Sequence, residues 1–354
     1  MSPPPTIIIT GLNGYIAAHT AHRFLTAGYL VRGTVRSLTS PNTHLVQRAL
    51  LSKNPLHSNR LSIIEVPDLT IPSALDSVID GTIHAIAHLA SPVSMTPNSA
   101  EEMMQASVTG TRSLLESAVV RGGTTLKSIV YMSSISALYS PKNDKEYLYS
   151  ESDWNEEAEE QLKKKGEKTP GYVVYQASKS AAEKKFWEFG DTLKGVGMSA
   201  LCPAPTLGRP LYLPEPITSL SMRAKDVYDI LNGGEAPPFS TIRGTFVDVR
   251  DVAELVFRAV ERDLKGEREA VRERYLVIGE QRASPRRIVE ILKQELPESS
   301  TARMRPVAGE PVSESEFAKF DVSKASELLG REWIRFDDSV LDTARVFLEK
   351  QYSA

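Results

Sequence analysis

Tyr175 and Lys179 stand four residues apart in YVVYQASKSAAEKKFWEFG (172–190), a stretch whose apolar spacing predicts a helix. On a helix that spacing puts both side chains on one face, one turn apart. A tyrosine titrates near 10 in water, so as a general acid it needs assistance. A neighbouring ammonium supplies it by favouring the phenolate. A serine at the end of the preceding buried strand would complete a proton-donating set, and VYMSSIS supplies Ser133 and Ser134. Alone, Y-x-x-x-K recurs by chance, so its meaning depends on what lies upstream.

About 160 residues upstream, TIIIT runs into TGLNGYIA (10–17). A β-branched strand, then G-x-x-G-x-x-A, then a helix is a dinucleotide-binding turn by context. Gly11 permits the tight turn, Gly14 lets backbone approach a pyrophosphate, and Ala17 lets the helix pack closely on a sheet. The helix N-terminus then presents free N–H groups to phosphate. In an NAD site an acidic residue near the end of the second strand binds the ribose hydroxyls. Here no Asp or Glu precedes Glu65, and Arg36 follows the second strand. A guanidinium pairs with a 2′-phosphate, so NADP(H) is the expected cofactor, with Arg36 as its reader. The competing reading of Arg36 is a solvated turn residue.

Strands and helices alternate through residue 204: YLVRGTV, RLSIIEV, IHAIAHLA (83–90), the helix 100–122, LKSIVYMSS and GMSALCPA follow one another. That alternation predicts a Rossmann-type doubly wound parallel α/β sheet. Beyond it, PAPTLGRPLYLPEP carries five prolines in fourteen residues and reads as irregular. The remaining short elements predict a smaller C-terminal α/β substrate lobe. The expected division is 1–202 with 242–275 for the nucleotide domain, and 203–241 with 276–354 for the lobe. The charged segment 151–171 reads as a solvated helix and loop.

The bulk properties bound the function. The chain has 354 residues, 41% hydrophobic and 25% charged, with a net charge of −3. Neither a nucleic-acid nor a membrane partner is expected. A single cysteine, Cys202, allows no internal disulfide and suits a reducing compartment. The start MSPPPT shows no secretory pattern, and no run approaches the roughly 18 apolar residues of a bilayer span. Cytoplasmic localisation is the expectation. His84 and His88 lie in a predicted strand, about 13 Å apart along it, too far to share an ion. No metal site is expected.

Together these motifs resemble an extended short-chain dehydrogenase/reductase, within its dihydroflavonol-reductase-like branch, and most closely the fungal NADPH-dependent methylglyoxal and isovaleraldehyde reductases. TGLNGYIA, GYLVRGTVRS, HLASPV, VYMSSISA, ESDWN, YQASKSAAEK and FVDVRDVAE occur in family order nearly end to end. The resemblance implies that Ser134 bonds a substrate carbonyl, Tyr175 protonates it, and Lys179 holds ribose and depresses the Tyr175 pKa. Ser133 would face the core. Gly11, Asn13, Gly14, Tyr15 and Ile16 would form the pyrophosphate turn. Asp68 and Leu69 would sit by the adenine, and Leu89, Ala90 and Ser91 would flank the cofactor. Pro203, Ala204 and Thr206 would line the nicotinamide. Val93, Met95, Ile135, Tyr139, Tyr172, Leu207 and Arg209 would form the substrate pocket, with RDVA (250–253) packing between lobes. Three positions depart from the family pattern: Ser40, Ser107 and Arg209. The implied reaction is reversible NADPH-dependent reduction of an aldehyde or ketone by a monomer or homodimer. The alternatives are a sugar-nucleotide epimerase or dehydratase, and a non-catalytic NADP-sensing protein.

Overall fold

A computed structural model describes residues 3–92, 97–235, 244–266, 271–281, 283–307 and 317–351. Strands β1 (Thr6–Ile9), β2 (Leu30–Val35), β3 (Leu61–Glu65), β4 (Ala85–His88) and β5 (Ser128–Met132) enter one sheet. After the short β6 (Leu148–Tyr149), β7 (Gly197–Pro203) joins it. Past β8 (Thr206–Leu207) and β9 (Thr245–Asp248), β10 (Arg272–Val277) closes its edge. The order is β10-β7-β5-β4-β1-β2-β3, every pair parallel.

The strands read as near-continuous apolar runs because both faces are covered. Ile7 and Ile9, Ala85 and Ala87, and Val130 and Met132 face a core built with helices α1 (Tyr15–Thr26), α2 (Pro41–Lys53) and α7 (Val249–Lys265). Ile8, Ile86, Ile129 and Tyr131 face a second core, with α3 (Ala100–Arg121) and α5 (Gly171–Glu188). Each fully buried Ile, Leu or Val contributes about 1.5–3 kcal/mol. The parallel order reverses between β1 and β4, and a crevice opens there at the carboxyl ends of the strands.

A third core gathers β8, β9 and β11 (Glu280–Gln281) into a small sheet under α6 (Met222–Leu231), α8 (Pro285–Glu295) and α11 (Phe336–Gln351). The expected division of the chain needs two corrections here. β9, assigned above to the nucleotide domain, pairs with β8 and β11, whereas α7 and β10 of the same stretch join the large sheet. Residues 319–329, assigned to the lobe, return to the large core. There β12 (Lys319–Phe320) pairs with β6, and α10 (Ser323–Leu329) buries Ala325 and Leu329. Phe320 stacks on Tyr149 at 5.1 Å, which gives that return its apolar anchor.

The charged segment is more than a solvated surface. α4 (Glu156–Lys165) lays Glu159 against Ser180 (2.6 Å) and Lys184 (2.7 Å) of α5. Glu167 accepts from the Ala100 and Glu101 amides, adding a second acceptor to the Ser99 N-cap of α3.

Candidate active site

The crevice is built from the β1–α1 turn. Gly11 has φ +68°, and a Cβ there would stand 3.1 Å from the Ala90 Cβ. Gly14 donates to the Gly11 carbonyl at 2.7 Å, and a Cβ on it would come within 3.0 Å of that oxygen. Both glycines keep open a cradle that side chains would fill, at the N-terminus of a twelve-residue helix. The opposite wall is fixed by Thr10, whose Oγ1 accepts from the Leu89 and Ala90 amides at 3.0 Å each. His88 Nδ1 meets the same hydroxyl at 3.0 Å. Burial pushes the His88 pKa down to about 3, so its ring is neutral. His84 caps the far end of β1, accepting from the Thr6 amide at 3.1 Å. Among the described residues no cluster of His, Cys, Asp and Glu is placed to hold a metal.

The crevice has two connected parts, which share Gly14, Leu89 and Ser91. One, of about 540 Å³, is lined by Gly11, Asn13, Arg36, Asp68, Leu69 and Ala90. Arg36 is exposed at its rim, just past β2. The Asp68 carboxyl is held below its usual range by the Thr70 hydroxyl and amide, with the Arg36 charge assisting. The other part, of about 380 Å³, is lined by Tyr15, Ile16, Ser134, Ile135, Tyr172, Tyr175, Lys179, Pro203, Ala204 and Thr206. All fifteen residues assigned above to the cofactor, and Tyr175 with them, therefore line one groove. A groove with this glycine turn, helix terminus and exposed arginine fits a phosphorylated dinucleotide.

Tyr175 and Lys179 project from the same face of α5. Lys179 Nζ lies 6.0 Å from the Tyr175 ring centre, and its ammonium donates to the Met132 carbonyl at 3.3 Å. Ser134 caps a short 3₁₀ turn (Ile135–Ala137), its Oγ accepting from the Ser136 amide at 3.1 Å. Burial raises the Tyr175 phenol above its ordinary value, against the pull of a hydrogen bond with Ser134. This differs from the expected depression by Lys179. Burial is the larger effect, and it also lowers Lys179, to about 8. Ser133 faces the core as expected, donating to Glu183 at 2.5 Å, and Glu183 also takes Arg274 Nη2 at 3.0 Å.

The expected substrate pocket is only partly assembled. Ile135 and Tyr172 line the catalytic end of the groove. Tyr139 lies in an adjoining cavity instead. Leu207 is buried in the lobe core as part of β8. Arg209 points away to Glu349 at 3.3 Å, and its carbonyl meets His19 Nε2 at 2.9 Å. Val93 and Met95 lie outside the described residues. Arg223 of α6, paired with Asp226 at 2.8 Å, lines the same pocket as Lys179. Gln176 and Met222 also line the pocket and went unforeseen. Gln176 was legible, since it stands four residues after Tyr172 and three before Lys179 on the same helix; α6 carried no signal beyond helical spacing.

The proline-rich loop braces the nucleotide turn. The Tyr15 hydroxyl donates to the Gly208 carbonyl at 2.5 Å, and the Tyr212 hydroxyl donates to the Asn13 carbonyl.

A doubly wound sheet with a glycine turn at its switch point and Ser, Tyr and Lys at the groove's end defines an extended short-chain dehydrogenase/reductase. The chain belongs to the NAD dependent epimerase/dehydratase family, whose profile matches residues 7–273. It is 30% identical to an uncharacterized oxidoreductase of Schizosaccharomyces pombe, over 97% of both chains. It is 31% identical to cinnamoyl-CoA reductase 1 of Arabidopsis thaliana, over 99% of this chain and 91% of that one. The structure of Gre2 from Candida albicans in complex with NADPH superposes with a TM-score of 0.80 at 28% identity, covering 98% and 99% of the two chains. Among the described residues no helix is long and apolar enough to cross a membrane.

Proposed function

We propose that the protein reduces an aldehyde or ketone to an alcohol with NADPH, by a reaction that also runs in reverse. The carrying observation is the convergence of Ser134, Tyr175 and Lys179 at the end of the groove that begins at Gly11 and Gly14. A dinucleotide held along this groove would supply the hydride that the carbonyl carbon receives. Ser134 and Tyr175 present hydroxyl groups to the carbonyl oxygen, and Tyr175 gives its proton as negative charge develops there. The raised phenol pKa keeps that proton in place at neutral pH. Lys179, still largely an ammonium at pH 7, holds ribose hydroxyls and offsets the charge left on Tyr175. Arg36 at the adenine end selects the 2′-phosphate. NADPH in the related Gre2 structure supports the cofactor assignment.

The epimerase or dehydratase reading requires a retained NAD, and the acid-free second strand argues against it. A sensor would not need Tyr175 and Lys179 brought together on one face of α5 at the end of the groove. Tyr175→Phe tests the proposal. Carbonyl reduction should drop about 10³-fold, in the range of a lost general acid, while NADPH titrated by fluorescence binds within about twofold of the parent. Undiminished turnover in this variant rejects the mechanism.

A further inference from the structure

The segment ESDWN (151–155) lines neither part of the groove, yet its last residue grips the turn that follows Ser134. Asn155 is buried. Its Nδ2 donates to the Ser136 carbonyl at 3.1 Å, and its backbone amide donates to the Ala137 carbonyl at 2.9 Å. Ser136 is thereby held at both ends, because its own amide donates to Ser134 Oγ at 3.1 Å. A hydroxyl that accepts from a backbone amide keeps its one proton to donate. Ser134 can therefore offer that proton to the groove, where it stands with Tyr175.

The same side chain reaches a second element. Asn155 Oδ1 accepts from the Ala158 amide at 3.1 Å and so caps α4. α4 is in turn bonded through Glu159 to Ser180 and Lys184 of α5, the helix that carries Tyr175. One amide group thus joins the Ser134 turn to the helix that braces α5. Asn155 is itself fixed by its neighbours. Arg274 of β10 lays its guanidinium 4.0 Å from the centre of the Trp154 ring and donates to the Glu151 and Asp153 carbonyls. Resting on the reductase reading, we propose that Asn155 is a positioning residue for carbonyl reduction, setting Ser134 against Tyr175 without touching substrate or cofactor. The sheet's hold ends just before Ser134, where the Ser133 amide donates to the Leu201 carbonyl at 2.8 Å. Past that bond, Asn155 ties the 3₁₀ turn to α4. Misplacing a reacting group by about 1 Å can cost about 10²-fold in rate, so a partial loss of this tie is measurable.

Asn155→Ser keeps an N-cap oxygen for α4 but is too short to reach the Ser136 carbonyl. Turnover of diacetyl or benzaldehyde is measured per NADPH-binding site, with sites counted by fluorescence titration. In this variant kcat per site should fall about tenfold, with carbonyl KM and NADPH Kd each within about twofold of the parent. A residue that only stabilises the fold would lower the number of sites and leave turnover per site unchanged, and that result overturns the proposal. A double-mutant cycle tests the route through Ser134. In a Ser134→Ala background, Asn155→Ser should cost less than about twofold more. An undiminished loss there also overturns the proposal. If the serine variant does not fold, Asn155→Asp carries the same comparison, since it keeps the cap and sets a carboxylate oxygen against the Ser136 carbonyl. A parent that binds NADPH yet reduces neither carbonyl overturns the reductase reading and this inference with it. A parent that reduces either one, with turnover per site unmoved by the substitution, overturns the role of Asn155 alone.

Discussion

At the residue scale, the proton donor and the cation beside it titrate in opposite senses, and both shifts begin with burial. Burial raises Tyr175 and lowers Lys179 because each resists becoming or staying charged away from water. For Lys179 the folded value of about 8 lies below its ordinary 10.5, so the fold disfavours the ammonium. Between those values the unfolded chain binds more protons, and this residue's contribution to stability rises with pH. Its ribose-holding role runs the other way, because it needs the ammonium. The profile of kcat/KM for NADPH should be level below about pH 8 and fall about tenfold per unit above it, since this parameter reports the free enzyme. Lys179→Arg, always protonated, should erase that limb. A parent profile level to pH 10 removes Lys179 from the role. Arg36 makes a second residue-scale prediction. Arg36→Ala removes charge-assisted bonds to one phosphate, so KM for NADPH should rise about 10- to 100-fold with KM for NADH little changed. Equal changes for both cofactors dismiss it as the phosphate reader.

At the element scale, what could be read in the sequence follows the period of its apolar residues. β1, β4, β5 and β7 announce themselves as near-continuous apolar runs because both faces are covered. The turn between β1 and α1 is legible because only glycine tolerates the φ of position 11 and the proximity of Ala90. Tyr175 and Lys179 were legible because helical spacing is a local property. The pocket wall was not. Leu207 and Arg209 lie in a proline-rich stretch with no period, and their directions are set by partners far along the chain, the lobe core and Glu349. The α4 segment misled for the opposite reason. Its composition is that of a solvated helix, yet the carboxylates of Glu159 and Glu167 are spent on α5 and on the N-terminus of α3. Composition gives the mean environment of a segment and leaves its individual hydrogen bonds unspecified.

At the scale of the whole molecule, one buried carboxylate joins the nucleotide turn to the last helix. Asp248 is fully buried. It accepts from the Arg250 amide at 2.7 Å, capping α7, and from Arg250 Nε and Nη2 at 2.9 and 2.8 Å. Oδ2, which takes Arg250 Nη2, also accepts from the Ser339 hydroxyl of α11 at 2.5 Å, and Arg250 continues to Asp342 at 2.8 Å. Gly208 touches the same carboxylate, since a Cβ there would come within 2.6 Å of Asp248 Oδ2. The Gly208 carbonyl in turn holds Tyr15. The small sheet and α11 therefore meet at one acceptor, with the proline-rich loop packed beside it and the cofactor turn bonded to that loop. Asp248→Asn keeps the volume but removes the charge and sets an amide against the Arg250 guanidinium. It should cost about 2 kcal/mol, below the usual cost of breaking a buried pair because Arg250 is partly exposed and keeps Asp342. In urea the midpoint should fall with the slope unchanged. The NADPH dissociation constant should rise with it, because turning the new amide away from the Arg250 guanidinium shifts the side chain against which Gly208, the acceptor of Tyr15, is packed. A lower midpoint with unchanged NADPH affinity would confine Asp248 to stability, and an unchanged midpoint would remove it as the joint between the two parts.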